Sequence, residues 1–402
     1  MSDAGGIQVI ATTISGSIRD WGKVERIVPL FEDHGRDDVT LHAVDSHAEA
    51  RIRTAEVVRN GSRQIISAGG SGTFNAVLEG CLDSDVSLRE ISLGFLRKGS
   101  ADLIGKVLDM PDDIEEAVRV FVDSLAGGHT VPCDVLRVES EEGDGPPRHF
   151  VGYGGAEIFG RIPHYTENRF MKYYKGVLSQ LFGDLGPFFV GASLASVERA
   201  LKRGVGKARS WTVTVDGRER ARGRYQAMIV VNGDLGKNLP FARGVPLGSG
   251  DFHLFCLQDL GPLKLPGQFK KAFDASIERE PERWGFQGFR VEESLVLAPV
   301  KGGAFPMNRD GSTMACRGSA RFTLVDQVKL MARAGCKGFY LGIESGSQRI
   351  LDFLKKGIST EQIQRVIAWC KNAEIKTYCS LITGIPGETY SDFMKTKKLL
   401  KQ

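Results

Sequence analysis

Ile65-Ile-Ser-Ala-Gly-Gly-Ser-Gly-Thr-Phe-Asn75 is the stretch that decides how the first part of this chain folds. An apolar, β-branched run ends in glycines, and a helical pattern with Phe74, Val77, Leu78 and Leu82 on one side begins at once. A buried strand running straight into a helix is half of a parallel strand–helix–strand unit. Glycines let the backbone approach an anion closely, and the helix N-terminus adds its partial positive charge. Thr73 can donate a hydroxyl or cap the helix. Phosphate is the natural guest of such a turn; a plain strand-to-helix turn with an N-cap is the competing reading.

The same alternation extends outward. Strands are predicted over 7–12, 39–44, 64–68 and 91–96, with helices over 18–31, 48–58 and from 111 onward. Ile14-Ser15-Gly16-Ser17 follows the first strand, and Arg97-Lys98-Gly99-Ser100-Ala101-Asp102 follows the fourth. In a parallel sheet these turns and the Gly-rich turn share the carboxyl edge, where such folds bind ligands. Three small-residue turns on one edge suit a polyphosphate.

From about residue 131 the pattern becomes β-rich. Strands are predicted over 131–138, 149–158, 211–215, 225–231, 252–257 and 289–297, with turn signals at Asp216-Gly217 and Asn232-Gly233 and a helical insert over 170–182. From about 323 it returns to α/β, with strands over 338–343 and 375–382. The reading is an α/β nucleotide-binding domain on a parallel sheet (1–130), a β-rich, sandwich-like second domain (131–315) and a partial (β/α)-barrel fragment (316–402).

Composition narrows the class. Of 402 residues, 42% are hydrophobic and 25% charged, which is globular. No apolar run reaches the roughly 18 residues that span a bilayer, and the first residues carry no signal-peptide pattern. Seven irregularly spaced cysteines suggest reduced thiols and a cytoplasmic protein. The formal charge of +4 is unevenly spread: residues 316–402 carry +8 and the rest −4. No two of the seven histidines stand at helical ligand spacing, so no metal site is read from them.

A family resemblance rests on several motifs together. Gly69-Gly-Ser-Gly-Thr73 resembles the GGDGT signature of diacylglycerol kinases and related lipid kinases. Ser15-Gly16 resembles the end of their NPxSG turn, and 93–102 is similar to their LGxxPxGTxND segment. Asn232-Gly233 through Pro240 and Arg309-Asp310-Gly311 resemble stretches of their second domain, the latter the DGE motif. The order of motifs over about 5–314 is the specific part, since NAD kinases share GGDGT. The resemblance implies an interdomain active site where ATP with Mg²⁺ donates its γ-phosphoryl group to a lipid hydroxyl at the membrane surface. It implies nucleotide contacts at Ser15, Gly16, Gly69, Gly70, Ser71, Gly72, Thr73, Gly99 and Ser100, and a catalytic candidate at Asp310. The expected setting is the cytoplasm, peripheral to the membrane, with no nucleic-acid partner.

The departures fall on acidic positions. Ser71 replaces the GGDGT aspartate, Ser312 the DGE glutamate, and Ser249-Gly250 a DG turn, with Asp251 one place late. A hydroxyl neither holds Mg²⁺ nor accepts a proton as a carboxylate does. Backbone contacts to phosphate need no carboxylate, so a catalytically impaired nucleotide- or lipid-binding relative is the alternative. Asp102, Asp251 and Asp310 are the acidic residues left in matching segments.

The tail resembles a second family. Gly335-Cys-Lys-Gly-Phe-Tyr-Leu-Gly-Ile-Glu-Ser-Gly-Ser347 and Leu381-Ile-Thr-Gly-Ile-Pro-Gly-Glu-Thr389 are similar to segments of radical SAM enzymes, which implies cofactor contacts at Glu344 and Ser345. The cluster-binding CxxxCxxC is absent; Cys316, Cys336, Cys370 and Cys379 stand 20, 34 and 9 residues apart. An iron–sulfur cluster needs converging thiolates, so neither cluster nor S-adenosylmethionine chemistry is expected. A radical SAM-related protein without its cluster is the third reading. Two strands leave open edges, so the fragment must dock on the rest, pair with a second copy or pack poorly.

Overall fold

A computed structural model describes residues 6–12, 21–97, 110–111, 113–143, 145–161, 209–236, 241–261, 264–273, 276–325, 336–372 and 374–401. The chain divides into two compact units, Met1–Val325 and Asp326–Gln402.

The first unit opens with strand β1 (Ile7–Thr12), helices α1 (Trp21–Glu25) and α2 (Ile27–Asp33), β2 (Val39–Val44), α3 (His47–Arg59), β3 (Gln64–Gly69), α4 (Ser71–Asp83), β4 (Ser92–Arg97) and α5 (Ile114–Gly127). The strands form one parallel sheet in the order β2-β1-β3-β4. Ile7, Val9 and Ala11 pack under α1, α2 and α5; Ile10 and Ile65 pack under α3 and α4. The inner strands β1 and β3 are covered on both faces, which is why they read as largely apolar runs, while the edge strand β2 leaves Thr40 and Ala43 exposed. The α5 ends are sequence-encoded: the Asp113 side chain accepts from Glu116 N, and Gly128 closes the helix in the left-handed region.

Two six-stranded sheets follow. β5 (Leu136–Ser140), β6 (Arg148–Phe150), β8 (Trp211–Val215), β9 (Arg218–Gly223), β13 (Leu295–Pro299) and β16 (Ala320–Leu324) run in the order β6-β5-β16-β13-β8-β9. β7 (Tyr153–Glu157), β10 (Tyr225–Val231), β11 (Phe252–Gln258), β12 (Phe286–Val291), β14 (Ala304–Arg309) and β15 (Ser312–Arg317) run in the order β12-β11-β10-β7-β14-β15. Their inner faces share one core holding Trp211, Phe150, Phe322, Phe252, Met307 and Leu297, a face-to-face sandwich. Helices α6 (Leu265–Phe273) and α7 (Pro281–Trp284) precede β12. The expected helical insert at 170–182 lies outside the described residues.

Two stretches read as single strands are each broken. Residues 149–158 split into β6 and β7, and 289–297 into β12 and β13, the halves lying in different sheets. Each break sits on the carboxylate of a distant Asp-Gly hairpin turn. Asp216 (φ +49) and Gly217 (φ +76) turn β8 into β9, and Asp216 accepts from Glu293 N at 2.8 Å and Ser294 N at 3.0 Å. Asp310 (φ +42) and Gly311 (φ +81) turn β14 into β15, and Asp310 takes the amides of 151–153. Both turns have the paired positive φ of a two-residue hairpin.

The sequence-based boundary at 315 falls within β15, and β16 lies beyond it as an interior strand between β5 and β13. In the second unit, β17 (Gly338–Glu344) and β18 (Lys376–Leu381) pair in parallel, flanked by α8 (Gln348–Phe353), α9 (Thr360–Asn372) and α10 (Tyr390–Leu399). Leu341, Ile343, Cys379 and Leu381 face a small core with Leu351, Ile363 and Leu399. On the other face Tyr340 and Tyr378 stack with ring centroids 4.9 Å apart.

Candidate functional site

The carboxyl ends of β1, β3 and β4 lie side by side, Ala11 opposite Ala68 and Gly69 opposite Arg97. Here β3 passes through Gly70, which caps α4 in an extended conformation without a side-chain hydrogen bond. The first amides of α4 therefore lack the side-chain acceptor that Ser or Asp would give. A Cβ on Gly70 would meet nothing within 4 Å, so the turn is open at that point. On Gly72 it would lie 2.7 Å from His47 Cε1, so the imidazole at the start of α3 closes one side. Burial, and then the Arg309 charge, push the His47 pKa below its ordinary value. Thr73 is fully buried, its hydroxyl 2.7 Å from that of Thr12, tying β1 to α4. Ser15, Gly16, Gly99 and Ser100 lie outside the described residues, as does Asp102.

The β14–β15 turn meets this edge. A Cβ on Gly311 would stand 2.9 Å from Ser71 Oγ and 4.0 Å from the Tyr153 hydroxyl. Asn75 Nδ2 donates to Ser312 Oγ at 3.3 Å and to Arg309 O at 3.5 Å. Ser71 and Ser312 thus converge on one place from two domains. The half-buried Arg309 guanidinium donates to His149 O at 3.3 Å. Burial lowers its pKa while the Glu79 charge opposes this.

Asp310 is 2% exposed. Its carboxylate accepts from Val151 N at 2.9 Å, Gly152 N at 3.1 Å and Tyr153 N at 2.7 Å. Burial pushes its pKa up, and the three amides pull it back. Both oxygens are committed as acceptors to backbone, so the group is a clasp on the β6–β7 break. Asp251 is also buried, held by Ser249 Oγ and Arg290 Nε, both at 2.5 Å.

A second bridge joins the two domains of this unit. Glu79, on α4 and 4% exposed, accepts from His149 N at 2.9 Å and lies 3.1 Å from His149 Nδ1. Burial would raise the Glu79 pKa; the His149 hydrogen bonds and charge and then Arg309 outweigh it, and the net direction is down from 4.5. A lowered folded-state pKa adds stability that is complete above about pH 4.5 and is lost as pH falls through the lower folded value. Glu79→Gln is expected to lose about 1–3 kcal/mol at neutral pH. It is also expected to flatten the acid limb of the stability profile below pH 4.5. Urea denaturation from neutral pH into the acid range checks this; parallel profiles for both proteins would contradict it.

The donors at the Ser71–Ser312 apposition are hydroxyls and a carboxamide, whereas Mg²⁺ is held by carboxylates and phosphate oxygens. Among the described residues no group of three or more His, Cys, Asp or Glu side chains is placed to hold a metal ion. These residues do not fit magnesium. The uncapped α4 N-terminus does fit phosphate.

In the second unit, Glu344 (φ +56) pairs with Lys356 Nζ at 3.0 Å. Ser345 is fully buried, its hydroxyl accepting from Ser347 N at 3.1 Å and lying 3.3 Å from Thr396 Oγ1. Neither side chain is presented as an open ligand contact. Cys370 is buried against Ile375, and Cys316 belongs to the sandwich core. This arrangement does not fit a cluster.

His47, Asn75, Glu79 and Arg309 were given no role from the sequence. Asn75 and Arg309 lie in motif stretches, two places after Thr73 and just before Asp310. The others gain meaning when the second domain meets α3 and α4.

The diacylglycerol kinase catalytic domain family matches residues 7–138, and the radical SAM superfamily matches residues 310–400, a span that begins inside the sandwich at Asp310 and includes β15 and β16. A diacylglycerol kinase of Staphylococcus carnosus is 23% identical over 147 residues, 35% of this chain and 44% of that protein. An uncharacterized methyltransferase of Pyrococcus horikoshii is 32% identical over 98 residues, 24% of this chain and 21% of that protein. The chain spans less than half the length of these curated relatives. A crystal structure of a diacylglycerol kinase from Bacillus anthracis superposes with a TM-score of 0.52 at 16% identity, over 81% of this chain and 95% of that one. A second structure from the same organism gives 0.58 over 81% of this chain and 94% of the other, also at 16% identity. The chain is thus similar to diacylglycerol and lipid kinases in sequence at its N-terminal part and to diacylglycerol kinase structures in fold over 81% of its length, and it carries a radical SAM-like segment toward its end.

Proposed function

We propose that the first unit works as an ATP-binding lipid kinase relative, with ATP as phosphoryl donor and a lipid hydroxyl as acceptor. The observation that carries this reading is the open, uncapped β3–α4 turn lying against the β14–β15 turn of the second domain. Amides of the first α4 turn would take the phosphate chain, with the helix N-terminus and Arg309 supplying positive charge. Transfer to a hydroxyl then rests on positioning and charge stabilisation.

A second reading is favoured by a specific observation: Ser71 and Ser312 are hydroxyls, and the Asp310 carboxylate is taken up by backbone amides. Such a chain would hold nucleotide or lipid with little or no transfer, since general base catalysis contributes on the order of 10²–10⁴-fold. Calorimetry with ATP, combined with labelled ATP and diacylglycerol among a panel of lipids, tests both readings. The expected outcome is saturable ATP binding, slow transfer by the native chain, and at least about a tenfold gain in Ser71→Asp. No ATP binding by folded protein would sink both readings; fast native transfer that Ser71→Asp does not improve would remove the second.

A further inference from the structure

Helix α10 is amphipathic the wrong way round. Its inner face is largely polar: Asp392 and Thr396 are buried and hydrogen-bonded, with Leu399 buried beside them. Asp392 accepts from Ser347 Oγ at 2.6 Å, pairs with Arg349 at 2.5 Å and closes a capping box with Thr389. The Arg349 guanidinium, then the Ser347 and Thr389 hydroxyls, hold its carboxyl well below the usual range, so the anchor stays ionised. At 100° per residue the opposite side carries Tyr390, Met394, Lys397 and Lys401, with Phe393 and Leu400 along one flank. These apolar side chains are exposed by 78% at Tyr390, 42% at Phe393, 40% at Met394 and 53% at Leu400. Lys398 flanks the stripe, Lys395 turns toward the inner face with Nζ 3.9 Å from Asp392 Oδ1, and the buried Asp392 is the one acidic residue from 390 to 402.

We infer that the outward face of α10 is a docking surface for an anionic lipid bilayer. Aromatic and aliphatic side chains interleaved with lysines suit the boundary between headgroups and acyl chains, where the rings and Met394 are immersed while the ammonium groups stay among anionic headgroups. A second copy would bring the same three lysines, Lys397, Lys398 and Lys401, against these. A nucleic acid would satisfy the lysines and stack on rings, but would leave Met394 and Leu400 uncovered. An anionic bilayer covers both kinds of group. The inference goes beyond the kinase reading and does not need phosphoryl transfer.

The test is flotation of the full chain with vesicles of phosphatidylcholine alone and of equimolar phosphatidylcholine and phosphatidylglycerol. Binding is expected to the anionic vesicles, at least about tenfold weaker to the neutral ones, and weakened by added salt. Phe393→Ser with Met394→Ser, and separately Lys397→Glu with Lys398→Glu, are each expected to cost about tenfold or more. All four positions are exposed, and an unchanged thermal transition confirms that each variant folds. Failure of the native chain to float, equal binding to neutral vesicles, or binding that survives both variants would overturn the inference. So would a single-stranded RNA complex, or a concentration-dependent doubling of mass, that the same variants abolish in the absence of vesicle binding. A chain that transfers no phosphate yet floats leaves the inference standing; an active kinase that ignores the vesicles ends it.

Discussion

A chain ended at residue 315 is expected to fail to fold its second domain, whereas one ended at residue 325 is expected to fold. The shorter chain loses β16, which hydrogen-bonds β5 on one side and β13 on the other. It also loses the fully buried Phe322, which meets Phe150 edge-on at 6.3 Å. Removing one buried Phe side chain costs about 3–5 kcal/mol, and losing an interior strand leaves two sheet edges unpaired inside a sandwich. A typical domain has only about 5–15 kcal/mol of stability, so the loss exceeds what the rest can bear. The longer chain keeps β16 and the Val325 N to Val135 O bond at 2.8 Å. Soluble yield, far-UV circular dichroism and the cooperativity of urea unfolding separate the two. A cooperative transition in the 315-residue chain would contradict the placement of β16.

Asp310→Ala is expected to destabilise the first unit by about 3–5 kcal/mol. The substitution strands the amides of Val151, Gly152 and Tyr153, which the carboxylate now takes in a site 2% exposed. It also places alanine at φ +42, a region that favours Gly and Asn. Asp310→Asn is expected to cost less, because one acceptor oxygen and tolerance of positive φ survive. The midpoint of urea unfolding ranks the three proteins as native, Asn, then Ala. A different outcome carries equal information: variants as stable as the native chain that lose phosphoryl transfer would place Asp310 in the chemistry instead of the scaffold.

Burial on both faces wrote β1 and β3 into the chain as largely apolar runs, and the edge strand β2 showed as the mixed, β-branched Val-Thr-Leu-His-Ala-Val; β1 and β2 match their expected spans to the residue. The breaks at 151–152 and 292–294 were illegible because their cause is remote. The Asp310 carboxylate acts 157–159 residues away from the amides it captures. β9, with the sequence Arg-Glu-Arg-Ala-Arg-Gly, has no alternation because it lies at a sheet edge with both faces largely in water. At the candidate site, the glycines of 69–72 announced themselves through backbone freedom. His47 and the Glu79–His149 pair did not, because their partners arrive only when two separately encoded layers meet.

The close approach of Ser71 to Gly311 makes each domain the present occupant of the other's cleft. On the proposed reading, a guest at the Gly-rich turn from that side would displace this apposition and give up the Asn75–Ser312 hydrogen bond. Its observed affinity would then be the intrinsic affinity scaled by the fraction of molecules with that bond undone. A change that loosens the latch would tighten binding without touching the guest.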